Sequence, residues 1–306
     1  MSEPLTSSGD SHEAIVPAMG SVATVIVVGA PRSVLDDALA RLADLEARWS
    51  RFLPDSEVSR HNLALADGRP TPAVSPETQL LFERAAEGHR ISSGRFDPYR
   101  LAALTAAGYR RSLHPSHGPL APQQGFDPGG IGKGLAADMV SAEIMAAGAD
   151  GALVSVGGDL RVRGVAPEGG AWRIDIEDPR CDGIVTTVEL TDGAVATSSQ
   201  MKRRWTADDG VVRHHLIDPS TDTSSVSPVL SATVVSAEAW QAEVLTKVAF
   251  LDAFGDGALS TDAGLELIES LGAAALVVTP DLELSTSAWA HFDVGHGSAA
   301  HEEVAR

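Results

Sequence analysis

Cysteine and positive charge are both scarce in this chain of 306 residues. Its single cysteine, Cys181, excludes an internal disulfide and any site built from several cysteines. Lys and Arg number 23 against 42 Asp and Glu, and the net charge of −19 argues against a nucleic-acid partner. A phosphate-bearing ligand would therefore need a local positive group, such as a lysine, a helix N-terminus, a glycine nest or a metal ion.

Long apolar runs are also missing. No stretch of about 18 apolar residues occurs, so the sequence predicts no membrane-spanning helix. The first residues lack the basic and apolar parts of a signal peptide, and we expect a cytoplasmic protein. Aromatic residues make up only 5 % of the chain, so Ala, Val, Leu and Gly must build the core.

Short β-branched runs alternate with isolated helical patterns, which indicates an α+β fold. We expect a single domain over residues 15–290, a disordered N-terminal tail at 1–14 and a loose C-terminal tail at 291–306. Residues 51–62 and most of 94–128 show no sustained period and are expected to be irregular. The clearest helical patterns lie at 31–49, 75–91, 134–147, 237–254 and 261–271, and the clearest strands at 23–29, 152–156 and 274–278.

The densest candidate site is a glycine-rich segment at residues 126–138, where four glycines flank Lys133 just before a helix. Glycines let the backbone approach an anion closely, and a lysine with helix N-terminal amides supplies positive charge. A Walker A loop is excluded, because Asp127 and Gly134 stand where that motif needs Gly and Ser or Thr. Residues 132–137 do fit a dinucleotide fingerprint, but residues 123–128 before them form a poor strand, so a Rossmann site is a weak alternative.

Three further segments carry polar groups that suit a ligand. A strand end runs into Gly157-Gly158-Asp159, and residues 195–199 bring hydroxyls ahead of the cations at 202–204. His214 and His215 are adjacent, and neighbouring residues on a strand face opposite ways. Only one of these two histidines can therefore face a site, which makes a paired-histidine metal site improbable.

Taken in order, these segments resemble the FAD:protein FMN transferase (ApbE) family. The resemblance runs from Met19 to about Phe254, and six short motifs in the same order over some 170 residues make it specific. These motifs are Ser50-Arg51-Phe52 through Asn62, Gly94-Arg95-Phe96-Asp97-Pro98, residues 129–134, Ser155 to Asp159, Ala196-Thr197-Ser198, and His214-His215-Leu216-Ile217-Asp218-Pro219.

The resemblance implies an FAD held across the centre of an α+β fold made of two intertwined subdomains with mixed sheets and flanking helices. It implies that FMN is transferred to a Ser or Thr hydroxyl of an acceptor protein, and that AMP is released. The residues that it places at the FAD are Met19, Phe52, Phe96, Asp97, Pro98, Gly129, Lys133, Leu135, Asp159, Thr197 and His215.

The same resemblance implies a Mg²⁺ ion beside the diphosphate, and here the chain departs from the family. The family has an Asp followed four residues later by a Thr, one helical turn apart. This chain has Glu243 and Lys247 at those positions. The implied metal site contains Glu243, also the implied catalytic residue, with backbone carbonyls near Gly132 and Thr246. A charged lysine cannot ligate a metal, so we expect Lys247 to pair with Glu243 and compete with Mg²⁺.

Two other functions remain open at this point. One is a non-catalytic protein that binds and delivers FAD, and the other is an FAD diphosphatase in which water replaces the protein hydroxyl. An intact Asp and Thr pair would have favoured the transferase strongly, so Glu243 and Lys247 are the residues that separate these hypotheses. A Rossmann oxidoreductase is the most distant alternative.

Overall fold

The computed structural model describes residues 10–109, 125–201, 204–207, 209–252 and 262–295. Its helices are α1 (Arg32–Trp49), α2 (Glu57–Ala66), α3 (Pro76–Ile91), α4 (Leu101–Ala106), α5 (Gly132–Ala146), α6 (Ala239–Asp252) and α7 (Asp262–Ser270). Its strands are β1 (Ser11–Ala18), β2 (Ser21–Val28), β3 (Gly151–Val156), β4 (Asp159–Gly164), β5 (Trp172–Asp178), β6 (Gly183–Leu190), β7 (Asp192–Ser199), β8 (Arg204–Thr206), β9 (Val212–His214), β10 (Ile217–Asp218), β11 (Thr223–Ser224), β12 (Ser231–Ser236), β13 (Ala274–Val278) and β14 (Glu283–Ser285).

Eight of these strands form one sheet in the order β1-β2-β3-β4-β7-β12-β13-β14. Every pairing within this sheet is antiparallel, whereas mixed pairing was expected. The pairs β1–β2, β3–β4 and β13–β14 are joined by short turns, and such hairpins can only be antiparallel. The expected α+β class is confirmed.

The two faces of the sheet are covered by different elements. Successive side chains of a strand point to opposite faces, so Val154 of β3 packs under the helices while Leu153 packs on the other side. Helices α5 and α6 lie in the core on the first face, and the β5–β6 hairpin covers the second with Trp172, Val188 and Leu190.

Helices α5 and α6 touch each other closely, and this contact fixes the candidate site. A Cβ on Gly134 would collide with the backbone of Ala239, so the approach requires glycine at this position. Asp138 of α5 accepts hydrogen bonds from the backbone N–H groups of Ala239 (2.8 Å) and Trp240 (2.9 Å) and thereby caps α6. Burial raises the pKa of Asp138 to about 6, although the two N–H groups and Arg161 favour its charged form.

The N-terminal segment differs from the expectation. Residues 11–14 were placed in a disordered tail, but they belong to strand β1 at the edge of the sheet, and residues 1–9 lie outside the described residues. The alternating polar residues of β1 hide its pattern, and Pro17 argues against a strand. An edge strand tolerates proline because one side of its backbone needs no partner.

Two stretches that were expected to be irregular contain helices. Ser56 caps α2 by accepting a hydrogen bond from the N–H of Ser59 (2.9 Å), and the short helix α4 lies within the predicted loop at 94–128. Residues 110–124 of that loop are outside the described part. Helix α2 carries too few apolar residues for its period to stand out in the sequence.

The C-terminal segment also corrects an expectation. Residues 291–295, assigned to a loose tail, run beside β6, where the N–H of Glu189 donates to the carbonyl of Phe292 (2.9 Å) and the N–H of Val294 donates to that of Thr187 (3.0 Å). Residues 296–306 are not among those described. No described helix is long and apolar enough to cross a membrane.

Candidate active site

A cavity of about 370 Å³ opens beside the N-termini of β4 and α5. Segments far apart in the sequence meet in its wall: the β1–β2 turn, the end of α1, residues 95–100 and 127–133, the end of β7, residues 215–219, and α6. The volume lies in the range of small-molecule sites, and aromatic rings and charged groups together line the wall. The predicted site residues that line it are Met19, Phe52, Phe96, Asp97, Gly129, Gly132, Lys133, Asp159, Thr197, His215 and Lys247.

Lys133, in the first turn of α5, is held between two carboxylates, those of Asp159 and Glu243. The Lys133 side chain is 13 % exposed, whereas the Asp159 and Glu243 side chains are 6 % and 1 % exposed. A second oxygen of Glu243 accepts the backbone N–H of Gly134 (2.8 Å). Burial raises the pKa of Glu243, and the nearby charge of Lys133 opposes that rise. The three side chains form a buried ion cluster with a net charge of −1 when all are ionised.

Lys247 does not pair as expected. Its ammonium donates to two backbone carbonyls, those of Glu243 (2.7 Å) and Gly130 (3.2 Å), while the Glu243 carboxylate is taken by Lys133. Thr246 points elsewhere: its hydroxyl donates to the Glu243 carbonyl (2.7 Å) and lies 2.7 Å from the Ser198 hydroxyl. The same turn of α6 therefore places the Lys247 ammonium at the cavity and the Thr246 hydroxyl in the packed interior.

Arg51 lies within one of the sequence motifs but is not among the predicted site residues. Its side chain is 5 % exposed, and its Nε lies 3.0 Å from a carboxylate oxygen of Asp127. The guanidinium carbon lies 4.3 Å from the ring centre of Phe52 and 5.5 Å from that of Tyr109. Its Nη1 atom has no hydrogen-bond partner among the described residues. A buried donor in a cavity wall is available to a ligand.

Four predicted residues do not line the cavity. Leu135 and Thr246 are buried in the interior, and Pro98 shapes the wall indirectly because its carbonyl accepts the N–H of Asp127 (2.7 Å). Glu243 lies behind Lys133 and does not reach the cavity. Its carboxylate contacts Lys133, and the catalytic role assigned to Glu243 stays a prediction.

Only one of the two adjacent histidines lines the cavity, as expected, although His215 lies just past the end of β9 rather than within a strand. His215 lines the cavity, while His214 is buried on the other side, where its Nε2 lies 3.0 Å from the carbonyl of Ser225. Burial lowers the pKa of His214, which keeps that ring neutral near neutral pH.

The ApbE family model matches residues 19–277 of this chain. The chain belongs to the ApbE family. The match covers the cavity wall from the β1–β2 turn to α6, so the resemblance noted in the sequence is confirmed.

Curated relatives of this ApbE-family chain are named FAD:protein FMN transferase. The Vibrio cholerae protein is 26 % identical over 232 residues, which are 67 % of this chain and 69 % of the relative. The Haemophilus influenzae protein is 24 % identical over 272 residues, 78 % of this chain and 76 % of the relative. The Rhodobacter capsulatus protein is 27 % identical over 250 residues, which are 71 % of this chain but only 47 % of that longer relative.

Solved ApbE structures share the fold. The ApbE protein of Thermotoga maritima has a TM-score of 0.79 at 23 % identity, over 93 % of this chain and 99 % of that one. The flavin transferase ApbE of Vibrio cholerae has a TM-score of 0.74 at 22 % identity, again over 93 % and 99 % of the two chains.

The site of this ApbE-family chain does not fit the Mg²⁺ ion that the resemblance implies. Mg²⁺ prefers six oxygen ligands, with carboxylates among them. Here the Glu243 carboxylate is engaged by Lys133 and by the N–H of Gly134, and Lys247 takes the carbonyls of Glu243 and Gly130. Within the described ranges, no group of three His, Cys, Asp or Glu side chains stands close enough to hold a metal ion.

Proposed function

We propose that this ApbE-family protein binds FAD in the cavity and transfers the FMN half to a Ser or Thr hydroxyl of another protein. The hydroxyl oxygen attacks the FMN phosphorus and loses its proton, and the bond to the bridging oxygen breaks. AMP leaves with that oxygen. The names of the curated relatives support this activity. The observation that carries the proposal is the meeting of Lys133, Lys247 and Arg51 with aromatic rings in one cavity.

The division of the cavity wall suits the parts of FAD. Phe52, Phe96 and Tyr109 offer apolar faces to ring systems, and the three cations suit a diphosphate. These three cations supply positive charge locally, which a phosphate ligand needs because the net charge of the chain is −19. We assign Lys133 and Arg51 to the phosphates, with Glu243 and Asp127 holding each cation in place.

The expected result for ligand selectivity is that the protein binds FAD more tightly than FMN or riboflavin, because only FAD carries both the diphosphate and the adenosine. Flavin fluorescence titration with the three ligands measures this preference. Equal affinity for FAD and riboflavin would contradict the assignment of the cations to the phosphates.

The transfer itself is tested by incubating the protein with FAD and an acceptor protein that the Vibrio cholerae relative modifies. We expect AMP release together with covalent flavin fluorescence on the acceptor. AMP release without labelled acceptor would indicate an FAD diphosphatase, and tight FAD binding without AMP release would indicate a flavin-delivery protein.

Arg51→Met should weaken FAD binding by roughly ten- to a hundredfold, because a charge-assisted hydrogen bond contributes about 1.5–3 kcal/mol. Riboflavin has no phosphate, so its affinity should change little. Arg51→Lys keeps the charge and should retain part of the FAD affinity. An equal loss of affinity for both flavins would show that Arg51 only supports the packing around Phe52 and Asp127.

A further inference from the structure

We propose that the Lys247 ammonium is a built-in cation that takes the place of a divalent metal, so that this chain binds the diphosphate of FAD without Mg²⁺. The proposal rests on the proposed function, because it concerns the same cavity. It is carried by one juxtaposition: the ammonium stands at the cavity wall between the carbonyl oxygens of Gly130 and Glu243.

The carbonyl oxygens of Gly130 and Glu243 already have a cation partner. Carbonyl oxygens that converge on a cavity are ligands for a hard cation. Two of them converge here, and both accept hydrogen bonds from Lys247 at 2.7 Å and 3.2 Å. The Glu243 carbonyl also accepts the Thr246 hydroxyl (2.7 Å). A metal ion at this point would have to displace the ammonium from the oxygens that it needs.

The carboxylates of this region are also already engaged. A divalent ion in a protein site is usually neutralised by at least one carboxylate. Glu243 and Asp159 are buried carboxylates, and Lys133 already contacts both of them. The Gly134 N–H and the Thr197 N–H, at 2.8 Å and 3.3 Å, also donate to these two groups. Both carboxylates are thus already engaged, and the Lys133 ammonium offsets one of their two negative charges.

The positive charges of the two lysines also disfavour a metal ion in this cavity. A Mg²⁺ ion would lie close to Lys247 and Lys133, and like charges at short range repel strongly where water is largely excluded. An ammonium is a compact point charge with three donors, and it binds phosphate well. Lys247 faces the cavity with its stem against Gly130, where a Cβ would stand 3.4 Å from the lysine Cε. The Lys247 ammonium thereby supplies positive charge at the cavity wall, where a ligand phosphate would otherwise need a metal ion.

The binding test uses the full chain and FAD, titrated by flavin fluorescence in EDTA and in millimolar MgCl₂. We expect the wild-type affinity to be the same in both. Lys247→Met should lose roughly ten- to a hundredfold in FAD affinity, the size of one charge-assisted contact, and Mg²⁺ should not restore it. A wild-type protein that loses FAD affinity in EDTA would overturn the proposal.

The metal test uses Mn²⁺ as the probe, followed by electron paramagnetic resonance in the presence of FAD. We expect no bound Mn²⁺ in the wild type. Lys247→Thr combined with Glu243→Asp removes the ammonium and shortens the carboxylate, and this variant should bind Mn²⁺ and regain FAD affinity when MgCl₂ is added. Bound Mn²⁺ at the wild-type site, seen as a signal that the Lys247 substitutions alter, would refute the internal cation.

Controls separate this proposal from the proposed function and from misfolding. Arg32→Met removes an exposed cation that pairs with Asp36 away from the cavity, and it should leave FAD affinity unchanged. Thermal unfolding shows whether each variant is folded, and Lys247→Arg supplies a variant that keeps the charge if Lys247→Met does not fold. Absence of FAD binding by the wild type under every condition would reject the proposed function, whereas Mg²⁺-dependent FAD binding would reject only the role of Lys247.

Discussion

Lys133→Ala should lower the free energy of unfolding by about 3–5 kcal/mol, because it leaves two buried carboxylates without their shared partner. Lys133 contacts both Asp159 and Glu243, and neither carboxylate side chain is more than 6 % exposed. Urea denaturation followed by tryptophan fluorescence measures the loss of stability.

The matched control is Arg32→Ala, which breaks an ion pair whose side chains are 60 % and 62 % exposed. Exposed pairs contribute less than about 1 kcal/mol, so this variant should unfold almost as the wild type does. Lys133→Met together with Glu243→Gln removes one buried charge of each sign and should recover part of the stability lost in Lys133→Ala. Equal urea midpoints for Lys133→Ala and Arg32→Ala would show that the ion cluster contributes nothing to folding.

Asp138→Ala should be the next most destabilising change, with a loss of about 2–4 kcal/mol in unfolding free energy. The substitution removes the acceptor for two backbone N–H groups at the start of α6, and it takes a carboxylate away from buried Arg161. Chemical denaturation measures the loss. Ser75→Ala removes the cap of α3 and serves as comparison, since an ordinary cap contributes about 1 kcal/mol.

The pH dependence of stability distinguishes the ionisable Asp138 side chain from a neutral side chain at the same capping position. Its pKa is raised from 3.8 to about 6 in the folded state, so the folded protein binds more protons than the unfolded one between these values. The contribution of Asp138 to the free energy of unfolding is therefore largest below about pH 4 and is lost as the pH rises through 6. Relative to Asp138→Asn, the wild type should lose up to about 3 kcal/mol over that window. A constant difference between the two proteins from pH 4 to 7 would contradict the raised pKa.

The elements with strong local signals were predicted well. Helix α3 begins after Ser75, whose hydroxyl accepts the N–H of Thr78 (3.3 Å), with proline at its first position as the sequence indicates. Strand β13 has the predicted bounds, and its five residues are all apolar and buried. Strand β1 and helix α2 were missed, since neither has the apolar period that a single sequence reveals.

The candidate site was predicted in its parts but not in its contacts. Most of the residues assigned to FAD line one cavity. They belong to motifs that occur in this chain in the same order as in the ApbE family. Lys247 was expected to pair with the Glu243 carboxylate, but its ammonium donates to the Glu243 backbone carbonyl. A spacing of four residues on a helix brings two side chains near each other, but it does not specify which acceptor atom an ammonium binds. Arg51 was overlooked because the free donor of its guanidinium is visible only when Asp127 and Phe52 are placed beside it.

The sequence by itself determined the family, the α+β class and the presence of a glycine-rich, lysine-bearing turn before a helix, because these depend on local residue order. The tertiary structure alone decided which charges meet. Lys133 lies 26 residues from Asp159 and 110 from Glu243. The close contact of α5 with α6 at Gly134 brings Glu243 to Lys133, and the packing of α5 on β4 brings Asp159. Once Lys133 holds the Glu243 carboxylate, the nearby carbonyl oxygens are left to Lys247. The spacing of residues along the chain cannot specify which lysine binds which acceptor, since this choice depends on how two distant helices pack.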